Sequence, residues 1–433
     1  MNLPFFIARR IAFAGKRSFS AIIIRIAIVA VALSVSVMIV ASSLIAGFKT
    51  EISRKIFEFW GHIHIASVIT DSPSADATPV SDTLPFLNEL NTLGRIEYAE
   101  PEFILGYETG REKTVQTKGG IAHVQPFALK PGIIRSRTAM EGIVLKGVGH
   151  GFDWKNLQPY IEEGAPPQWV DSVPSKEILL SRQTANRLQV GVGDKFIIHF
   201  VKDGQQAKRP FLVCGIYKTG LEEYDRKFAL CDLRQVQELL NWTPHEVAGF
   251  EIWLEDIRDL EVFNQYVYDE ILPPDLVSAS IREKFPAIFE WLQLQDMNEI
   301  VILGLMLAVA IINMITALLV LVLERANMIG ILKSLGETNG RIRQIFLYHA
   351  AVITLNGIFW GNLIGLGISL LQKYFHFIRL NEADYYLAYA PVRIEIWSLV
   401  YINVGTLLIT LLFLLIPSLA VSKIAPVKAI QFK

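Results

Sequence analysis

Two histidines and two cysteines are the side chains whose types and spacing come nearest to metal or redox chemistry. His62 and His64 stand two residues apart in an alternating stretch, so a strand would place both rings on one face, where they could share a metal ion. No third ligand follows at a useful spacing in the sequence, and packing inside a domain is the alternative that the pattern favours. Cys214 and Cys231 fall on strands that we expect to be neighbours, where they form either a disulfide or two unpaired core thiols.

No set of residues in the sequence has the pattern of a catalytic centre. Glu222, Glu223 and Asp225 cluster at a predicted turn without a convergent His or Ser, which is typical of a solvated loop. The chain contains no G-x-x-x-x-G-K-[ST] segment, so it has no P-loop for ATP. We therefore predict a non-catalytic subunit with no cofactor and no metal site.

The composition indicates a membrane protein. Of the 433 residues, 52% are hydrophobic and 19% are charged, whereas charged residues make up about 25% of a typical soluble domain. The formal net charge of −1 creates no field that would attract nucleic acid, so we predict no nucleic-acid partner.

Four long apolar runs predict four transmembrane helices. A helix needs about 20 residues to cross the hydrocarbon of a bilayer, and each run is long enough to do so. The predicted helices cover residues 21–48, 297–323, 345–373 and 396–421.

Basic residues predict the orientation of these helices. Residues 1–20 have the pattern of a basic amphipathic helix on the cytoplasmic face, and the segments 324–344 and 422–433 are also rich in Lys and Arg. With four spans, all three segments lie on one side, so both termini and the 324–344 loop are expected in the cytoplasm. Residues 49–296 and the 374–395 loop are then extracytoplasmic.

The extracytoplasmic segment 49–296 has the pattern of a large α+β domain. Two strand–helix–strand patterns, at residues 62–107 and 250–280, flank a β-rich stretch. This order suggests a second lobe inserted at about residues 149–246.

Helical stalks are predicted where this domain joins the membrane. Residues 49–60 continue the first span outward, and residues 286–298 lead into the second. Neither stretch contains an internal Pro or Gly, so each can form a continuous stiff rod.

A short helix is predicted between the second and third spans. Residues 324–336 read ERANMIGILKSLG, in which five apolar residues recur at roughly helical spacing and would form one face: Met328, Ile329, Ile331, Leu332 and Leu335. Gly336 follows the last of them, where a helix stop is expected. The segment is either a helix that docks onto a partner protein or a solvated connector.

Small and polar residues inside the spans predict contacts between helices. Gly357, Gly361 and Gly365 recur every four residues, a pattern that allows two membrane helices to approach closely. Four asparagines also lie within spans, and they are Asn313, Asn356, Asn362 and Asn403. We expect their amides to hydrogen-bond between helices, and a substrate or ion route is the alternative.

Together, the four spans, the large outer domain and the 324–336 loop resemble the LolC/LolE branch of type VII ABC transporter permeases, a group that also includes MacB and FtsX. The loop is similar to the family segment acidic-basic-x-x-x-Ile-Gly-Ile-Leu-Lys-(Ala/Ser)-Leu-Gly. Pro417-Ser418, followed by IAPVKAI at residues 424–430, is similar to its closing pattern. The stretches that resemble the LolC/LolE version specifically are residues 146–148, 178–181, 192–194 and 380–392.

The resemblance implies an inner-membrane permease that transmits the motion of a separate, LolD-like cytoplasmic ATPase and releases lipoproteins toward the outer membrane. The residues that it assigns to ATPase coupling are Glu324, Arg325, Met328, Ile329, Gly330, Ile331, Leu332, Lys333, Leu335 and Gly336. It further implies a second permease subunit, identical or different, and a MacB-type periplasmic domain with Porter-like and Sabre-like lobes. The cargo would be a lipoprotein or lipid, and the acceptor a periplasmic lipoprotein carrier.

The resemblance leaves carrier binding and two other functions open. Residues 164–176 lack the long hairpin that grips the carrier in LolC-type subunits, and Trp169 is the candidate contact there. The alternatives are an FtsX-like regulator of cell-wall hydrolysis and a MacB-like efflux permease. FtsX-type outer domains are much smaller than residues 49–296, and residues 1–20 are too short for the ATPase that MacB chains carry at their N terminus.

Overall fold

The chain folds into a unit built of long helices and a unit built around a β-sheet. The structure is a computed structural model that describes residues 19–68, 78–104, 107–135, 140–169, 173–202 and 205–419. Within these residues, the helical unit comprises the chain up to residue 51, residues 290–380 and the chain from residue 387, and the sheet unit comprises residues 52–289 and 381–386. The predicted N-terminal helix lies outside the described residues except for residues 19 and 20, and the predicted tail at 422–433 lies wholly outside them.

The described helices, in chain order, are α1 (Phe19–Trp60), α2 (Phe86–Thr92), α3 (Trp154–Leu157), α4 (Arg182–Leu188), α5 (Glu222–Lys227), α6 (Leu233–Leu240), α7 (Leu260–Tyr266), α8 (Ile281–Lys284), α9 (Pro286–Glu324), α10 (Ala326–Ser334), α11 (Asn339–Phe375), α12 (Glu382–Tyr385) and α13 (Ile396–Ser418). Short 3₁₀ turns lie at Gln158–Tyr160 and Ile257–Asp259, and a π-turn lies at Val267–Ile271.

The described strands are β1 (Ile63–Ser67), β2 (Val80–Ser81), β3 (Glu97–Ile104), β4 (Tyr107–Gln116), β5 (Ile121–Arg135), β6 (Met140–Val148), β7 (Ile161–Gly164), β8 (Glu177–Ser181), β9 (Lys195–Lys202), β10 (Gln205–Tyr217), β11 (Phe228–Asp232), β12 (Glu246–Val247), β13 (Gly249–Leu254) and β14 (Leu276–Ser280).

Four of the described helices, α1, α9, α11 and α13, are long and apolar enough to cross a membrane. They contain most of the four apolar runs seen in the sequence. Helices α1 and α9 also continue without a break through residues 49–60 and 286–298, where stalks are predicted. Each of the two helices therefore contributes residues to both units.

The helical unit has its own apolar core. Its buried members are Ala27, Val31, Val35, Met38, Ile39, Ala310, Met314, Ala317, Leu318, Leu321, Val322, Ile329, Ile342, Phe346, Ala350, Ile353, Ile402 and Leu414. The outward faces of the same helices stay apolar, with Ile22, Ile300 and Ile396 all more than half exposed. Exposed aliphatic surface of this kind is what lipid-facing helices present.

The described strands of the sheet unit form one large sheet and two small ones. The ten-stranded sheet has the order β14-β1-β13-β5-β6-β11-β8-β10-β7, and β9 pairs with both β10 and β5. Strand β5 pairs both with a strand of the 250–280 pattern and with a strand of the β-rich stretch between the two patterns. The first half of β5 pairs with β13 (Gly249–Leu254), and Ile133 and Ile134 in its second half pair with β9. The strands between residues 149 and 246 thus share a sheet with their neighbours, and the boundaries of an inserted lobe stay a prediction.

The two predicted strand–helix–strand patterns are present, with one difference. Strand β1, the first strand of the 62–107 pattern, lies between β13 and β14, the two strands of the 250–280 pattern, and pairs with both. Strand β3, however, pairs with β4 in a separate two-stranded sheet. Most residues of β3 and β4 whose exposure is described are exposed and polar, so neither strand offers the large sheet an apolar face.

Candidate coupling site

Helix α10 ends where the sequence predicts a stop, because Gly336 adopts a left-handed conformation. The φ angle of Gly336 is 88°. Its N–H donates to the carbonyl of Lys333 at 3.1 Å, and the N–H of Glu337 donates to the carbonyl of Leu332 at 3.0 Å. These two bonds form a Schellman motif, which satisfies carbonyls at the end of a helix and favours glycine at the left-handed position.

Helix α11 begins at Asn339, three residues after this glycine. The side chain of Thr338 accepts a hydrogen bond from the N–H of Arg341 at 3.4 Å and caps the helix. Glu337 and Arg341 pair at 3.5 Å. The connection from α10 to α11 is therefore short and held at both ends.

The apolar residues of α10 face two ways, so the prediction of a single apolar face is wrong. Ile329 and Gly330 are buried, and Met328 and Leu332 are half-buried against the core of the helical unit. Ile331 and Leu335 point outward, 53% and 78% exposed. The difference arises because α10 packs back onto the long helices, which takes up one side of it. The remaining side can bury two aliphatic side chains against a partner protein.

The polar residues predicted for coupling lie at the edges of α10. Glu324 ends α9 and is exposed, whereas Arg325 and Lys333 are half-buried. The backbone of Arg325, with φ −97° and ψ 17°, separates α9 from α10. The structure thus brings the ten predicted residues into one helix and its two flanking turns.

Three glycines of α11 lie along a seam with α1. A Cβ placed on Gly357 would meet the Cβ of Val31 at 2.6 Å, and one on Gly365 would meet the Cβ of Ile39 at 3.1 Å. Gly361 lies between them, against Val35. Close approach of this kind increases van der Waals contact between membrane helices.

Only one pair of the four asparagines joins two helices. Asn362 donates to Oδ1 of Asn403 at 2.7 Å, and Asn403 donates to Oδ1 of Asn362 at 3.0 Å. Asn313 and Asn356 instead donate to carbonyls four residues earlier in their own helices, so the predicted interhelical bond is wrong for these two. Asn362 also donates to a carbonyl of its own helix, that of Ile358 at 2.8 Å, so its pairing with Asn403 is formed in addition to that bond.

The two histidines of the sheet unit are packed against aromatic rings. His62 accepts a hydrogen bond from the N–H of Leu254 at 2.7 Å, and its ring contacts Phe57 edge-on. His64 lies beside Trp60 and Phe127. Burial lowers the pKa of His62 to about 4 and the pKa of His64 well below its usual value. Among the described residues, no three His, Cys, Asp or Glu side chains converge as a metal site requires.

The two cysteines are free thiols on strands that are not neighbours. Cys214 lies on β10 and Cys231 on β11, with β8 between them. The expectation of adjacent strands is wrong because β8 comes earlier in the chain and pairs in parallel with β10. Burial raises the pKa of Cys214 to about 12, so its reactive thiolate is scarce near neutral pH.

Asp225 is buried, which corrects the prediction of a solvated acidic loop. Its carboxylate accepts hydrogen bonds from the Thr219 hydroxyl at 2.6 Å and from the N–H of Gly220 at 3.0 Å. Burial raises its pKa. The carboxylate therefore shapes the turn that precedes it and is not part of a solvated face.

A second segment of the chain returns to this turn. Residues 381–386 belong to the sheet unit, where Glu382 pairs with Lys218. The carbonyl of Tyr386 accepts a hydrogen bond from the ammonium of Lys55 at 3.0 Å. This segment falls within residues 380–392, which the sequence singles out without indicating what they contact.

The predicted carrier contact Trp169 belongs to an aromatic cluster. Its ring lies 6.2 Å from that of Trp154 and 6.0 Å from that of His150, and it is half-buried. A carrier contact at this position stays a prediction.

The sequence patterns did not predict one group of interacting residues, which lies beside the C-terminal end of α1. Lys146 of β6 and Glu251 of β13 form a fully buried ion pair with 2.8 Å between the ammonium and the carboxylate. The available signal is a single charge inside each of two otherwise apolar strands, IVLKGV and FEIWL. A buried charge in such a strand requires a partner.

Comparison with known proteins gives matches along most of the chain. The family model for the MacB-like periplasmic core domain matches residues 26–267, and the model for the FtsX-like permease C-terminal region matches residues 300–426. Lipoprotein-releasing system transmembrane protein LolE of Haemophilus influenzae is 23% identical over 453 residues, and the alignment covers 100% of both chains. Lipoprotein-releasing system transmembrane protein LolC of Neisseria meningitidis is 22% identical over 449 residues, again with 100% of both chains covered.

Among solved structures, the extracellular domain of the noncanonic ABC-type transporter YknZ from Gram-positive bacteria is similar to part of the chain. The similar region comprises 50% of this chain and 99% of the YknZ domain, with a TM-score of 0.31 and 12% sequence identity.

Proposed function

Because the chain belongs to the family of proteins with a MacB-like periplasmic core domain, we propose that it is the permease subunit of an ABC transporter of the lipoprotein-releasing type. The observation that carries the proposal is the alignment over the full length of both chains with lipoprotein-releasing transmembrane proteins from two organisms. The region matched to FtsX-like permeases includes α10, the helix that a cytoplasmic ATPase would move.

In this proposal the subunit lies in the inner membrane with four spans. Both termini and the 324–344 loop face the cytoplasm, as the Lys and Arg of the basic segments favour. The domain at residues 49–296 and the 374–395 loop face the periplasm. That domain would comprise Porter-like and Sabre-like lobes, the second inserted at about residues 149–246.

The subunit itself performs no catalysis, and ATP is hydrolysed by a separate LolD-like ATPase. The exposed side chains of Ile331 and Leu335 offer this partner an apolar contact at the turn of the 324–344 loop. Ile329, on the opposite face of α10, is fully buried in the core of the helical unit. A displacement of α10 by the ATPase is therefore transmitted to α9 and α11 through packed side chains and not lost in a mobile loop.

Helices α1 and α9 of the helical unit are also joined by an ion pair, close to where their predicted stalks begin. Lys49 of α1 pairs with Asp296 of α9 at 2.6 Å. Both helices continue unbroken into their predicted stalks, which gives the motion a stiff path along the chain. A second permease subunit, identical or different, would complete the transporter, with a lipoprotein as cargo and a periplasmic carrier as acceptor.

Depletion of the protein in cells tests this function. After depletion, we expect outer-membrane lipoproteins to accumulate in the inner-membrane fraction of separated membranes. Normal lipoprotein distribution together with altered cell-wall hydrolysis would favour an FtsX-like regulator. Normal distribution with a loss of peptide or small-molecule export would favour a MacB-like efflux permease.

A further inference from the structure

The end of α1 is enclosed by the sheet unit. Gly61, with a φ angle of 74°, ends the helix, and its N–H donates to the carbonyl of Phe57 at 2.8 Å. Phe59 and Trp60 are 1% and 4% exposed. The Trp60 ring lies 4.7 Å from the ring of Phe228, edge to face. Two aromatic side chains in the last turn of the helix are thus held inside the domain.

A single ammonium group binds this helix end to the sheet. Nζ of Lys146 donates to the carbonyl of Phe59 at 2.7 Å and lies 2.8 Å from the carboxylate of Glu251. The ammonium also lies 4.5 Å from the centre of the Trp60 ring. The other oxygen of Glu251 accepts a hydrogen bond from Gln125 at 3.1 Å. Lys146 therefore contacts helix α1 and strand β13 with one charged group.

The energetics show why this contact is specific. A cation at the C-terminal end of a helix interacts favourably with the helix dipole and with its unpaired carbonyls. Burial lowers the pKa of Lys146, and the neighbouring carboxylate of Glu251 raises it in opposition. Apolar residues can often replace a buried ion pair without loss of stability. No apolar residue, however, can donate a hydrogen bond to the carbonyl of Phe59.

We propose that Lys146 is a positioning residue that fastens the end of α1 to the sheet and so makes movement of this helix move the periplasmic domain. This inference rests on the proposed lipoprotein-releasing function. Without the fastening, the helix end can shift within its aromatic pocket, and ATP hydrolysis continues without an equivalent movement of the sheet.

Two variants separate fastening from stability. Lys146→Met with Glu251→Gln leaves no buried charge unpaired and removes the donor to Phe59. Glu251→Gln alone keeps Lys146 and its bond to the helix but removes the counter-charge of a buried ammonium, so it should lower the thermal midpoint. Arg187→Met with Glu141→Gln is the matched control, because Glu141 lies on the same strand as Lys146 and pairs with Arg187 at 3.1 Å, partly exposed.

The test uses the full complex with its partner ATPase, reconstituted in proteoliposomes that contain an acylated lipoprotein. Two quantities are measured for each variant: the amount of lipoprotein released per ATP hydrolysed and the thermal midpoint of the complex. For the Lys146→Met and Glu251→Gln double variant, we expect near-normal ATP hydrolysis, a near-normal midpoint and release per ATP lowered about tenfold, as the loss of a hydrogen bond from a charged donor implies. Glu251→Gln alone should lower the midpoint but keep a normal release per ATP, and the control double variant should keep both near normal.

Normal release per ATP in the Lys146 double variant would overturn the inference, as would equal losses of midpoint, hydrolysis and release, which would indicate a purely structural role. Loss of coupling in Glu251→Gln alone would also overturn it. Failure of the unaltered complex to release lipoprotein would instead contradict the proposed function, so the two failures are distinguishable.

Discussion

Gly361 of α11 lies so close to Val35 of α1 that a Cβ on the glycine would meet the Cβ of Val35 at 2.7 Å. The carbonyl of Ala32 would lie 2.9 Å from the same Cβ. The added Cβ would clash with both the Ala32 carbonyl and the β-branched side chain of Val35. Neither a rotamer change nor a small shift of one atom would relieve the two clashes. The contact holds two membrane helices at a distance that only glycine permits.

Gly361→Val should destabilise the helical unit by about 1–3 kcal/mol, the usual cost of overpacking a core. The thermal midpoint of the purified protein in detergent measures the effect. Gly367→Val on the same helix is the matched control, because a Cβ at Gly367 would have no atom within 4 Å apart from its chain neighbours and the nearby backbone of its own helix. Equal losses of stability in both variants would mean that helix propensity, and not the seam with α1, determines the result.

The reciprocal amide pair of Asn362 and Asn403 should contribute a coupling energy of about 1 kcal/mol, as interhelical hydrogen bonds in membranes do. A double-mutant cycle with Asn362→Leu and Asn403→Leu measures it, because each single change removes the interhelical bonds and leaves the other asparagine in place, while the double change removes both asparagines. Asn356→Leu serves as a control, since its amide bonds to its own helix. Strictly additive losses in the cycle would contradict the pairing.

The stability of the sheet unit should depend on pH through His62. Burial lowers the pKa of His62 from its usual value near 6.5 to about 4. The unfolded chain therefore binds the proton first as the pH falls, and stability decreases between about pH 6.5 and pH 4 by about 3 kcal/mol, with no further change above this range. His64, whose pKa burial also lowers, acts in the same direction.

The variant His62→Asn keeps an acceptor for the N–H of Leu254 and removes the titration. Denaturant unfolding of both proteins at several pH values between 4.5 and 8 should show a shallower acid limb for the variant. If the two curves stay parallel throughout, His62 does not produce the pH dependence.

Local sequence patterns are enough to predict the long helices and the stop of α10. Apolar runs long enough to span a membrane identify α1, α9, α11 and α13 without tertiary information. The stop at Gly336 follows from the conformational freedom of one residue type. The close approach of Gly361 to another helix also follows from its spacing with Gly357 and Gly365, although the partner helix does not.

Contacts between distant parts of the chain are what the sequence does not reveal. The strand order that separates Cys214 from Cys231 depends on the parallel pairing of β8 with β10. The orientation of Ile331 depends on which side of α10 the long helices occupy. Lys146 and Glu251 are adjacent only because β13, β5 and β6 are neighbours in the sheet. Hydrophobic periodicity describes one element at a time and carries no information on these pairings.

The two faces of α10 should respond differently to the same charge. Ile329→Asp buries a carboxylate in the core and should lower the thermal midpoint, because an unpaired buried charge is costly. Ile331→Asp places the carboxylate at an exposed position, so the midpoint should stay near that of the unaltered protein. The same carboxylate would be desolvated by a docked ATPase, so co-purification of the ATPase should be lost. Unchanged co-purification with Ile331→Asp would make α10 a connector.

The decisive measurement of coupling through α10 is ATP-dependent release of lipoprotein from proteoliposomes by the chain and its partner ATPase, compared between Ile331→Asp and Ile331→Val. We expect release with Ile331→Val to equal that of the unaltered protein, and we expect Ile331→Asp to abolish release while the thermal midpoint is unchanged. Equal release by the two variants, or hydrolysis of ATP by the chain without the second protein, would mean that the chain is not a permease driven by a separate ATPase through α10.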